Sequence, residues 1–338
     1  MPRKANPRNI SAKPISDDLW AGWRAQVLVA AIELDVFTHL AAGKRTVGQI
    51  AAATHATPRG IRGLLDALVA MDYLGKRADC YKLHPMAEVF LVKGRESYLG
   101  AMADVTRSMW PDWAHLADAI RTGRPCSVHT DPAVAGKLFR KLAGSLFAVN
   151  SGSARAAVEA LSPKLLKRVH HILDVAAGSG AWSIPFAQAL PEVRVTAFDL
   201  PPVLKVTRQF ASRLGVAGRY TFLKGDIEKA DFGRESFDLI LLGHILHGLG
   251  RAGARELIEK CAAALRAGGA LLIAEFVPND ARTGPLIPML FGLSMFLHTR
   301  EGDVFTFREY SSWLKAAGLH NPRTLRVPAV SPLILATK

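Results

Sequence analysis

The chain has 338 residues, 49% hydrophobic and 21% charged, which is enough for two domains that each bury a core of their own. Lys and Arg total 43 against 29 Asp and Glu, a net charge of +14, but basic residues such as Arg24, Arg62, Lys137, Arg140, Lys164, Arg208, Arg251 and Lys315 follow no single stripe, so nucleic acid is not the expected partner. No apolar run reaches the roughly 20 residues of a membrane span, and Cys80, Cys126 and Cys261, without C-x-x-C spacing, argue against a disulfide framework or zinc knuckle and suit a reducing cytoplasm.

Residues 1–15 are basic and proline-punctuated, with no following apolar stretch to act as a leader, and read as a disordered arm. A helix is predicted from Asp17 to about Gly43, where Leu19, Trp20, Trp23, Val27, Ala30, Ala31, Leu34 and Phe37 recur at spacings of three and four. Thr46 caps a short helix, VGQIAAAT, and Thr57-Pro58 opens another. Two short apolar pieces, 73–75 and 80–83, then flank a Lys-Arg-Ala-Asp turn. This is a winged-helix order over 16–105. As a DNA reader its third helix offers only Arg59 and Arg62 near its start. The first helix instead carries a broad apolar face with two tryptophans, which suits a partner subunit.

Residues 106–165 read as a connecting helical region, and its aromatic residues Trp110, Trp113, Phe139 and Phe147 as core packing in the main. From 166 to 338 the rhythm changes. HHILDVA, VRVTAFD, RYTFLKG, FDLILLGHI and GALLIAEFV alternate with helical stretches, the pattern of an α/β doubly wound parallel sheet whose strands are buried on both faces. The last two apolar segments, LRVPAV and PLILATK, predict a closing antiparallel hairpin.

The chemistry concentrates at strand ends. The first of these strands ends in Asp174, and a small-residue turn (Ala176, Ala177, Gly178, Ser179, Gly180) then leads into a helix, so backbone amides are exposed to a ligand. The next strand ends in Asp199, where a carboxylate can take a ribose diol, and the loop after the third carries Asp226, placed to meet a base edge. A dinucleotide and S-adenosylmethionine both suit a glycine turn plus a ribose acid. The dinucleotide fingerprint wants a further glycine where Ser183 stands, so the methyl donor is favoured over a nicotinamide oxidoreductase. His170 and His171 open a strand and read as structural.

These motifs resemble the small-molecule O-methyltransferases that include the acetylserotonin and caffeate enzymes, over nearly everything after residue 16. VAAIELDVFTHLAAG resembles the family's dimerisation helix, DVAAGSG its donor-binding glycine motif, and FDLPPVL and KGDI its ribose and adenine loops. The resemblance implies a winged-helix-like dimerisation domain, a seven-stranded Rossmann-like methyltransferase domain and a homodimer. It also implies that S-adenosylmethionine is held by Asp174, Ala176, Gly178, Gly180, Asp199, Leu200, Asp226, Ile227, Gly243 and His244, leaving S-adenosylhomocysteine as product, and that no metal is needed.

GHILHGLG matches the segment that carries the family's general base, which assigns that role to His247. The position fits, since this strand ends at the mouth of the sheet, and an imidazole near pKa 6.5 can take the proton of a phenol. Glu275 matches one flanking carboxylate. The other falls at Val304, with Asp303 and Glu301 as neighbours, and Gly248 and Leu249 replace an Asp and a Trp usual in the family. Family position places Phe139, Leu142, Phe147, Met289, Phe291, Met295, Phe296 and His298 around a flat, aromatic or polyketide-like acceptor. Rival expectations are carbon or nitrogen methylation on the same fold without a working base, and a winged-helix DNA-binding regulator that senses a ligand.

Overall fold

A computed structural model describes residues 10–95, 97–127 and 132–338, without the side chains of 132–142 and 145. The chain divides into two compact units between Ser108 and Met109.

In the first unit α1 (Lys13–Glu33) and α2 (Val36–Ala41) stand where one continuous helix was expected. Asp35 takes a left-handed conformation (φ 55°), which breaks the helix, yet Val36, Phe37 and Leu40 continue the buried stripe. The periodicity therefore hides the break. The start also differs, because Lys13–Ser16, with Pro14 in the first turn, are already helical. Helix α3 (Val47–Thr54) opens on a reciprocal capping box between Thr46 and Gln49, and α4 (Pro58–Ala70) opens on Thr57. Strands β1 (Leu74–Arg77) and β2 (Cys80–Leu83) pair as the expected wing, and α5 (Pro85–Phe90) follows. Their shared core holds Ile50, Ile61, Leu65, Leu68, Leu74 and Tyr81. Ile15, Leu19, Trp20 and Trp23 of α1 remain exposed, with the two indoles stacked 5.8 Å apart.

Helices α6 (Ala101–Ala114), α7 (Leu116–Thr122), α8 (Pro132–Ala160) and α9 (Pro163–Leu166) lead to the sheet. Its elements in chain order are β3 (His171–Val175), α10 (Ser183–Ala189), β4 (Arg194–Asp199), α11 (Pro201–Arg213), β5 (Tyr220–Lys224), β6 (Phe237–Gly243), α12 (Gly250–Ala264), β7 (Leu265–Ala274), α13 (Leu286–His298), α14 (Phe307–Ala316), β8 (His320–Leu325) and β9 (Leu333–Thr337). The seven strands lie in the order β5-β4-β3-β6-β7-β9-β8, and all run parallel except β9, which is antiparallel to both of its neighbours β7 and β8. The order reverses between β3 and β6, which opens a crevice at their C-terminal ends.

Period-two alternation sends Ile172, Val195, Leu239 and Leu272 into one core and Leu173, Ile240, Leu271 and Ile273 into another, so the parallel strands are apolar on both faces. His171 opens β3 with its ring against Phe237 and Nε2 3.0 Å from Thr196 Oγ1, whereas His170 is exposed and precedes the strand; both amides donate to Asp238 Oδ2. The closing hairpin forms, but its first strand is HNPRTL rather than LRVPAV. Strand β8 is an edge, where polar residues and Pro322 are tolerated, and its pairing slips register between His320 and Arg323. Val327 and Ala329 pack onto the core from the connection to β9 without entering the ladder.

Candidate functional site

The turn after β3 is built from left-handed residues, Ala176 (φ 55°), Gly178 (φ 58°) and Gly180 (φ 75°). At Gly180 a Cβ would also press on Ile184 of α10, so the turn and the helix start fit only a glycine. The Gly178 amide donates to Asp199 Oδ2 (2.9 Å) and the Leu200 amide to Oδ1 (2.7 Å), which fixes the carboxylate at the end of β4 beside the turn. Burial pushes Asp199 up to about 6 in spite of these amides.

Beneath the turn, fully buried Asp174 accepts a 2.5 Å hydrogen bond from Ser183 Oγ, which in turn accepts one from Tyr220 Oη at 3.0 Å. Burial pushes Asp174 up to about 7. Asp174 thus supports the turn through its own network. The loop after β5 is tied to the same corner by the Gly225 amide, which donates to the Asp199 carbonyl (3.2 Å). Asp226 is exposed there and caps its own short turn, accepting from the Glu228 amide at 3.1 Å, while Ile227 packs half-buried against the second core.

At the end of β6, Gly243 lies so close to the Trp182 indole that any Cβ there would collide with it. His244 is left-handed (φ 59°), its amide donates to the Ala274 carbonyl, and its Nε2 lies 2.9 Å from Ser331 Oγ. Burial holds its imidazole down to about 4. A row of rings runs from the glycine turn toward His247. Trp182 and His244 are 5.9 Å apart, His244 and Phe276 5.2 Å, Phe276 and Phe291 4.1 Å, and Phe291 meets His247 edge-on at 4.8 Å. Two buried nitrogens along it, Trp182 Nε1 and His244 Nδ1, have no hydrogen-bond partner. Orphaned polar atoms in a wall of this kind fit a ligand with polar groups of its own.

His247 sits in a short 3-10 turn, Leu246–Gly248, just beyond β6. Its Nδ1 is 2.8 Å from Glu275 Oε2, and its amide donates to Glu275 Oε1 at 3.2 Å. Burial pushes the Glu275 carboxyl up, but the imidazole beside it outweighs this and holds it below the ordinary glutamate range. An ionised carboxylate only accepts, so Nδ1 carries a hydrogen, and in the neutral tautomer the lone pair is on Nε2. Asp303 is differently engaged. Its amide donates to the His247 carbonyl (3.0 Å), whereas its carboxylate takes Arg282 Nη2 at 3.1 and 3.3 Å. Val304 is buried and its side chain supplies no polar group, though its carbonyl accepts from Arg282 Nη2 at 2.9 Å.

The expected acceptor residues are only partly brought together. Phe291, Met295 and His298 lie on one face of α13, the face that meets His247 through Phe291. Met289 and Phe296, both half-buried, fall on the opposite side of the helix. Phe147 is buried against Phe210 of α11 at 4.4 Å, within the first core. The side chains of Phe139 and Leu142 lie outside the described residues. His298 Nδ1 donates to the Ser294 carbonyl (2.7 Å) and its Nε2 stands 3.2 Å from Asp112 Oδ2. Among the described residues no group of three or more His, Cys, Asp or Glu is arranged to hold a metal, and no helix is long and apolar enough to cross a membrane.

A family model for the O-methyltransferase domain matches residues 113–320, and one for the O-methyltransferase dimerisation domain matches 19–93. The chain belongs to the O-methyltransferase family. The tetracenomycin polyketide synthesis 8-O-methyl transferase of Streptomyces glaucescens is 30% identical over 328 residues, 94% of each chain. Acetylserotonin O-methyltransferase of Mus musculus is 32% identical over 337 residues, covering 91% of this chain and 84% of that one. The crystal structure of human N-acetylserotonin methyltransferase in complex with S-adenosylmethionine has a TM-score of 0.86 at 26% identity, covering 100% of this chain and 99% of that one. This O-methyltransferase is accordingly an S-adenosylmethionine-dependent enzyme with the family's dimerisation domain.

Sequence reasoning about this O-methyltransferase missed Trp182, Ser331, Arg282 and Asp112. Arg282 and Asp112 come from elements remote from the residues they hold. Trp182 carried a signal, an indole directly after the glycine turn where the helix had only to begin.

Proposed function

We propose that this O-methyltransferase methylates a hydroxyl of a small aromatic or polyketide-like acceptor, with His247 as general base. The observation that carries the reading is the His247–Glu275 pair. Nδ1 is committed to a buried carboxylate at 2.8 Å, and Nε2 makes no hydrogen bond among the described residues. Nε2 is then the proton acceptor, and Glu275 orients the ring and stabilises the imidazolium that forms. S-adenosylmethionine supplies the methyl group on a sulfonium that departs as a neutral thioether. Asp199 takes the ribose hydroxyls, the Ala176–Gly180 turn presents amides, and Leu200, Asp226 and Ile227 meet the base. Gly243 and His244 close the methionyl end, and alignment of sulfur, methyl and oxygen supplies a large share of the rate. The reading needs no metal, since this displacement needs only alignment and a base.

The acceptor class is supported by the relatives' names, one a polyketide 8-O-methyl transferase and one a 3-hydroxy-5-methyl-1-naphthoate 3-O-methyltransferase. It is supported too by the aromatic and sulfur-bearing face of α13, with His298 as a polar contact. We assign dimerisation to 16–105, acceptor lining to 106–165 together with α13, and donor binding to 166–338. The dimerisation domain supports a homodimer, to which we assign the exposed face of α1, and a cytoplasmic setting suits the three free cysteines. Labelled methyl transfer to a panel of phenols and naphthols tests the proposal. His247→Ala is expected to lower turnover by about 10²–10⁴ and to leave donor affinity intact. Unchanged turnover would mean that His247 is not the base.

A further inference from the structure

We propose that Trp182 and His244 form a two-nitrogen clasp for the carboxylate of the methyl donor's amino-acid tail. The inference rests on the donor reading above and names which side chains take that one group. Trp182 Nε1 and His244 Nδ1 are the buried, unpartnered nitrogens of neighbouring rings. Trp182 reaches from the end of the glycine turn across to Gly243, and His244 follows Gly243 on the strand beside it. The clasp thus lies between the turn and the His247–Glu275 pair, the interval an extended donor has to span.

Charge identifies the group. The side chains around the site, Asp174, Asp199 and Glu275, are acids, which suit hydroxyls and cations. A carboxylate needs N–H donors. An indole nitrogen can only donate, and when the Ser331 hydroxyl donates to His244 Nε2 the neutral ring carries its hydrogen on Nδ1. Burial holds His244 down to about 4, so the ring is a neutral donor near pH 7. Leaving two such donors empty is costly, and one carboxylate satisfies both.

Calorimetry with two nucleosides tests this. S-adenosylhomocysteine has the amino-acid tail, and 5′-methylthioadenosine lacks it. Trp182→Phe and His244→Phe keep a ring in place and remove the nitrogens. Each is expected to weaken S-adenosylhomocysteine by about tenfold to a hundredfold and leave 5′-methylthioadenosine unchanged. Equal losses for both nucleosides, or no loss for either, would overturn the clasp. If Trp182→Phe shows no cooperative thermal transition, His244→Phe decides by the same criterion. Wild-type protein that binds neither nucleoside would overturn the donor reading itself, an outcome distinct from failure of the clasp.

Discussion

One fully buried carboxylate grips His247 twice, Glu275 Oε2 at 2.8 Å from the ring Nδ1 and Oε1 at 3.2 Å from the backbone amide. Ring and main chain of His247 are therefore positioned by the same side chain, at the end of β7. Glu275→Gln keeps the shape but can donate to Nδ1, which favours the tautomer with its hydrogen on Nε2. The expected result is a loss of turnover of about 10²–10⁴, with affinity for S-adenosylhomocysteine retained. Single-turnover transfer of a labelled methyl group measures the first, and calorimetry the second.

Asp303 provides the contrast. Its side chain is 45% exposed and paired with Arg282, away from the imidazole. Exposed pairs contribute up to about 1 kcal/mol, equivalent to about fivefold in rate. Asp303→Asn is expected to stay within that range in the same turnover assay. A loss comparable to that of Glu275→Gln would put Asp303 in the proton path.

The acids under the turn predict a pH dependence of stability. Burial raises Asp174 to about 7 and Asp199 to about 6, whereas an unfolded aspartate lies near 3.9. The native state thus holds these protons more tightly. Their contribution is complete below about pH 4 and is lost as the pH rises through about 6 to 7. Asp174→Asn cannot titrate, so the melting temperature of the wild type should fall relative to that of the variant across this window, a change on the order of a few kcal/mol. Calorimetric melts of the two proteins over that pH range check it, and parallel curves would contradict it.

Trp20 and Trp23 predict an assembly. They are 55% and 68% exposed and stacked on one face of α1. Buried aromatic anchors of an interface each contribute about 2 kcal/mol or more, so Trp20→Ala with Trp23→Ala should weaken a dimer at least thirtyfold, about 2 kcal/mol or more. Light scattering across a dilution series should show the wild type as a dimer and the double variant as a monomer with an unchanged circular dichroism spectrum.

What the sequence reveals here is what is local. The Ala176–Gly180 turn and Asp199 were legible because a βαβ unit fixes the interval between a turn and the next strand end. The Thr46 cap was legible because its partner is three residues away. Asp35 was not, since a left-handed residue leaves the apolar period intact on both sides. The Ser183–Asp174–Tyr220 network joins three elements, and its serine registered only as an absent glycine. Asp226 was read as a ligand contact from its place in a loop, but a short acid in that place also caps its own turn. Partners fixed by packing, such as Arg282 for Asp303, leave no trace at fixed spacing.

Strand β8 has a consequence for how molecules of this protein meet. Pro322 offers no amide hydrogen, and the slipped pairing around Asn321 (φ 52°) twists the rim of the sheet. A border of this kind gives an incoming extended chain no continuous ladder to join. Crowded copies are therefore denied fibril-like stacking along that rim.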